Sequence, residues 1–143
     1  MTMVVAVDLS EGSRKLLDAA RRVARHEASK VYVVHVVEPD PEFVGWGAGP
    51  GVVRDQVAEG FRRERQAVEE MATALRADGL DAHGLTIQGP TVDSVLREAQ
   101  RLDAELIVVG SHGRGVAYDL AVGSTSAGVI RKSTVPVLVV PIR

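Results

Sequence analysis

Gly110-Ser111-His112-Gly113, followed nine residues later by Gly123-Ser124-Thr125, have the types and spacing that suit the holding of a phosphate. Glycine lets the backbone approach an anion closely and adopt positive φ, and the free N–H groups that open a helix point at the bound charge. Two better-known phosphate loops do not fit. Gly110 and Gly115 have the spacing of a P-loop, but Val116-Ala117 stand where the lysine and hydroxyl should be. Gly113-Arg114-Gly115 opens like a dinucleotide fingerprint and then continues Val116-Ala117-Tyr118, without a third glycine. Phosphates would therefore rest mainly on backbone amides and hydroxyls, with Arg114 as the nearest cation.

Other polar residues divide between chemistry and architecture. Asp8 ends the apolar run Val4-Val5-Ala6-Val7, where its carboxylate could accept from ribose hydroxyls, help position a metal on phosphates, or cap the helix that follows. For Ser124 and Thr125 the readings coincide, because residues that cap a helix start also line its anion site. Ser111, His112 and Asp8 contain the groups of a hydrolytic triad. No nucleophile-elbow sequence surrounds the serine, and adjacent side chains in a loop tend to project in different directions, so no catalytic residue is assigned. The histidines at 26, 35, 83 and 112 show no metal-ligand spacing. His35, in an apolar run, is expected as a hydrogen-bonded core residue, and His26 and His83 as solvent or loop residues. Arg62, Arg63 and Arg65 stand among Glu64, Glu69 and Glu70, the pattern of a solvated, salt-bridged helix face.

The elements that must position these residues show in the periodicity. Val4 to Val7, Val31 to Val37 and Leu106 to Val109 are β-branched runs without polar alternation, which predicts strands covered on both faces of a parallel sheet. Leu16, Leu17, Ala20, Val23 and Ala24 form one helical stripe with Ser10 or Ser13 available as cap. Val57, Phe61, Val68, Met71, Ala72 and Leu75 form a second and longer stripe that stops at Gly79. Leu85 to Ile87 is a weaker strand, and Gly89-Pro90 leads into a helix bearing Val92, Val95, Leu96, Ala99 and Leu102. A fourth helix starts near Gly123 to Thr125 and carries Val129 and Ile130. From Glu38 to Val53 the chain is rich in glycine and proline around Trp46, an insertion that reads as a flexible surface loop or as a lid over the ligand. Alternation of strands and helices predicts an α/β fold of right-handed βαβ units, with helices on both faces of an open sheet.

The pattern G-x2-G-x9-G-[S/T] resembles the ATP-binding branch of the universal stress protein family, and the likeness covers nearly the whole chain. Val4-Val5-Ala6-Val7-Asp8-Leu9-Ser10 is similar to that family's first strand with its nucleotide-facing aspartate, Val33-Val34-His35-Val36-Val37 to its second, and Pro136-Val137-Leu138-Val139-Val140 to its last. The resemblance implies a Rossmann-like parallel sheet of five strands in the order 3-2-1-4-5, with Ala6, Asp8 and Val36 bordering adenosine. Val109, Gly110, Gly113, Gly123, Ser124 and Thr125 would hold the phosphates of ATP, with magnesium arriving on the nucleotide. Val7 departs from the pattern, since many ATP-binding members carry a hydroxyl there. The implied role is a stress-response regulator or switch; a slow ATPase or a phosphate- or adenylyl-transferring enzyme on the same fold is the alternative, and a nucleotide-independent dimeric interaction module is a third. In that strand order the last strand lies at an edge with no charge or interior proline along Val137 to Val140, and the family resemblance likewise implies a homodimer through it.

At 143 residues the chain has the size of one domain, and 45% apolar with 25% charged residues is the balance of a soluble globular protein. A net charge of −2 gives no overall positive field for nucleic acid or acidic lipid, and 3% aromatic residues are too few for a base-stacking surface. With no cysteine, disulfides, thiolate metal sites and a cysteine nucleophile are excluded. No apolar run approaches the roughly 20 residues of a membrane span, and a cytoplasmic location is expected.

Overall fold

The computed structural model describes residues 1–25, 29–38, 50–112 and 122–142, with residues 50–55 described by backbone alone. Five strands and four helices alternate: β1 (Thr2–Val7), α1 (Ser13–Ala24), β2 (Lys30–Val37), α2 (Pro50–Ala77), β3 (Asp81–Gln88), α3 (Thr91–Arg101), β4 (Leu106–Gly110), α4 (Ser124–Lys132) and β5 (Val137–Val140). All four strand pairings are parallel, and the sheet order is β3-β2-β1-β4-β5, as the resemblance implied.

Strand periodicity sends alternate side chains to opposite faces, and the core splits accordingly. Met3, Val5 and Val7 of β1, Val31 and Val33 of β2 and Val108 of β4 meet Leu16, Leu17 and Ala20 of α1 and Val68 and Leu75 of α2. Val4, Val34, Ile107 and Val109 turn the other way, against Val95 and Ala99 of α3 and Val129 of α4. Both faces being covered, the strands carry continuous apolar runs.

Several boundaries differ from expectation. β3 spans eight residues rather than the short Leu85 to Ile87 core, because its backbone pairs with β2 along Asp81 to Gln88 even where the side chains are polar. His83 thus lies in a strand, stacked on Tyr32 with ring centroids 5.3 Å apart. Pro50 to Val53, read as part of the insertion, begin α2 instead. Proline suits a first helical position, where its missing N–H has no partner to lose. Gly79, at φ +88, follows the helix, and the Leu80 amide reaches back to the Leu75 carbonyl at 3.2 Å. Val57 and Ile130, counted among the helical apolar residues, are exposed at 47% and 45%.

Candidate functional site

β1 and β4 lie side by side, with Val5 opposite Val108, while their connections leave in opposite directions across the sheet. Ligands of open α/β sheets bind at such a switch point, off the carboxyl ends of the strands. A cleft of about 470 Å³ opens there. Ala6, Asp8, Val36, Val109, Gly110, Gly123, Ser124 and Thr125 all line it. Gly113 and Arg114 fall outside the described residues, as do His26, Trp46 and the segment from Pro39 to Gly49.

The floor is the end of β1. Asp8 follows its last residue, and Asp8 Oδ1 accepts from the Ser10 amide at 2.9 Å and the Ser10 hydroxyl at 2.5 Å, with the Ser13 hydroxyl at 3.5 Å. Leu9, between them, has φ +63, an unfavourable conformation for a branched side chain. Ser10 and Ser13 therefore serve Asp8 and do not cap α1, whose N-cap is Gly12 with no side-chain cap bond.

The opposite wall is β4 and the start of α4. Gly123 caps α4 without any side-chain hydrogen bond, leaving Ser124 and Thr125 exposed on the first turn. The Gly123 amide itself is engaged by the Ser111 carbonyl at 2.6 Å, the Ser111 amide donates to the Val140 carbonyl at 2.8 Å, and the Ser126 hydroxyl donates to the Gly110 carbonyl. The loop base is thus tied to β5 and α4. Gly110 has a packing reason of its own, since a Cβ there would meet Ile142 Cγ1 at 3.0 Å and the His112 carbonyl at 3.2 Å.

Ser111 and His112 do not diverge as expected: Ser111 Oγ lies 3.0 Å from His112 Nδ1. The same hydroxyl accepts the Ile142 amide at 2.9 Å, and only His112 of the two lines the cleft. His35 is buried as anticipated, with Nδ1 3.0 Å from the Val7 carbonyl and Nε2 3.6 Å from Glu64 Oε1. Glu64, read as part of a solvated face, instead lines the cleft, because α2 crosses β2 at this point. Arg62, Arg63 and Arg65 are exposed.

Sequence reasoning also missed Ile142, Thr91 and Glu38. Glu38 Oε1 accepts the Thr91 hydroxyl at 2.7 Å and the Thr91 amide at 3.2 Å, covering the start of α3. Those bonds hold the Glu38 carboxyl below its ordinary range. A threonine directly after Gly89-Pro90 was the available signal. Among the described residues, no cluster of three or more histidine, cysteine or acidic side chains could hold a metal alone, and no helix is long and apolar enough to cross a membrane.

The model of the universal stress protein family matches residues 1–141. Universal stress protein YxiE of Bacillus subtilis is 31% identical, over 96% of this chain and 97% of its own length. Among solved structures, the protein MJ0577 superposes with a TM-score of 0.86 at 21% identity, covering 99% of this chain and 96% of that one, a likeness of fold. A universal stress protein in complex with cAMP superposes with a TM-score of 0.73 at 25% identity, again over 99% of this chain and 96% of that one.

Proposed function

This chain belongs to the universal stress protein family, and on that premise we propose that it binds an adenine nucleotide, ATP with Mg²⁺, and acts as a cytoplasmic stress-response switch. The observation that carries the reading is convergence: eight residues named from the sequence, on or next to β1, β2, β4 and α4, line one cleft at the switch point. The related protein solved with cAMP supports an adenine nucleotide as the ligand class.

The donor set fits such a ligand. The first turn of α4 has amides with no intrahelical partner, no side-chain cap and two flanking hydroxyls, an arrangement suited to anionic oxygens. Ala6, Val36 and Val109 offer an apolar border for a base. Asp8 would orient the ribose hydroxyls or a phosphate-bound magnesium, its carboxylate already fixed by the Ser10 turn. Backbone cradling binds ground and transition states about equally, so the switch reading predicts little or no turnover.

Assembly belongs to the same proposal. β5 is an edge strand whose Val137, Leu138 and Val139 are only half-buried, and Ile130 is exposed on α4, which packs against it. Pairing β5 with its own copy across a two-fold axis would satisfy its open backbone groups in a closed homodimer. Mass spectrometry of small molecules released by denaturing the purified protein tests the nucleotide reading. ATP or another adenine nucleotide at near-stoichiometric yield is expected; a non-nucleotide ligand in its place would overturn it.

A further inference from the structure

We propose that the groove between α1 and the end of β5 docks an acidic peptide segment of a partner protein. The chain carries a net charge of −2, yet Ser13 to Arg25 holds Arg14, Lys15, Arg21, Arg22 and Arg25 against Asp18 alone. Helix electrostatics explains only half of this. Cations in the last turn complement the carbonyl end of a helix, but Arg14 and Lys15 sit in the first turn, which contains no acidic residue and where the macrodipole disfavours positive charge. Arg14 and Lys15 are thus set against the helix dipole and add nothing to the stability of α1 through it.

All of these cations except Arg14 border a groove of about 560 Å³, with Lys15, Arg21, Arg22 and Arg25 on one side, Val140 and Pro141 on the other, and Asp18 between. Arg21 is committed, its guanidinium bonded to Asp18 at 2.7 Å and to Asp78 at 2.6 Å. Arg22 and Arg25 are exposed and have no carboxylate within ion-pair distance among the described residues. Two guanidiniums without a carboxylate partner among the described residues, beside an apolar wall, match an extended segment that alternates carboxylates with small apolar side chains. A nucleic-acid strand fits less well, because no aromatic side chain lines the groove to stack a base. None of the groove's lining residues lines the nucleotide cleft, so the two sites can be tested separately.

The experiment is fluorescence anisotropy of a labelled oligoglutamate peptide titrated with the full chain at low and at moderate salt. Saturable binding that weakens with salt is expected, reduced about tenfold or more in Arg22→Glu/Arg25→Glu while circular dichroism and ATP affinity stay unchanged. Absence of peptide binding at low salt, or equal binding by the variant, would overturn the proposal. So would tighter binding of a single-stranded oligonucleotide of equal charge, or a change in the variant's oligomeric mass, which would make the groove a contact between copies of this chain.

Discussion

Asp8 holds the turn at the end of β1, and that role can be separated from the ligand contact proposed for the same carboxylate. Its Oδ1 closes the turn over Leu9, whose φ of +63 costs on the order of 1–3 kcal/mol and persists only because neighbouring contacts hold it. Asp8→Ala is therefore expected to lower the melting temperature as well as weaken nucleotide binding ten- to a hundredfold, about 1.5–3 kcal/mol for a charge-assisted hydrogen bond. Asp8→Asn keeps an oxygen acceptor for the Ser10 amide, so it should melt near the wild-type temperature yet retain the affinity loss. Thermal melts beside calorimetric ATP titrations decide this, and full affinity in Asp8→Asn would remove the carboxylate from the ligand. The position of Asp8 could be read from the sequence because it closes a β-branched run. The left-handed turn beside it could not, since nothing about a leucine announces that conformation.

Packing between elements offers a test in which two effects oppose. Gly128 lies inside α4, where alanine would gain about 1 kcal/mol of helix propensity. A Cβ there, however, would meet Val92 Cγ2 on α3 at 2.8 Å, and overpacking against a stiff β-branched side chain costs about 1–3 kcal/mol. Gly128→Ala is expected to come out destabilised by about 1 kcal/mol in urea denaturation; a stabilised variant would mean that α3 and α4 separate easily. The Glu38–Thr91 bonds join the end of β2 to the start of α3. Because Glu38 titrates lower in the folded state than unfolded, its contribution is complete above the unfolded carboxylate range and is lost as pH falls through the folded value. Glu38→Gln should then shallow the acid side of the stability profile, as measured by melting temperature against pH. β1, β2 and β4 were legible as strands because burial on both faces leaves continuous apolar runs. β3 was only partly so, since it pairs on one side and carries His83 and Gly84. Glu64 gave no signal at all: its place in the cleft depends on where α2 crosses the sheet, a tertiary relation that a run of alternating charges conceals.

At the scale of the whole molecule, sheet order turns separate residues into a site. Asp8 and Gly110 stand more than a hundred positions apart in sequence, and only the pairing of β1 with β4 brings them to one cleft. The same order leaves β5 at an edge, and the proposed homodimer is expected to appear in light scattering at micromolar concentration, with Val139→Asp shifting it towards monomer or precipitation. A stable wild-type monomer would refute that arrangement. The central claim is that the cleft between β1 and β4 binds an adenine nucleotide, and calorimetric titration of ATP into nucleotide-free protein, beside a folded Gly123→Val variant, tests it most directly. One ATP per chain for the wild type and no detectable binding by the variant is the predicted result; no binding by the wild type, or equal affinity in the two proteins, would contradict it.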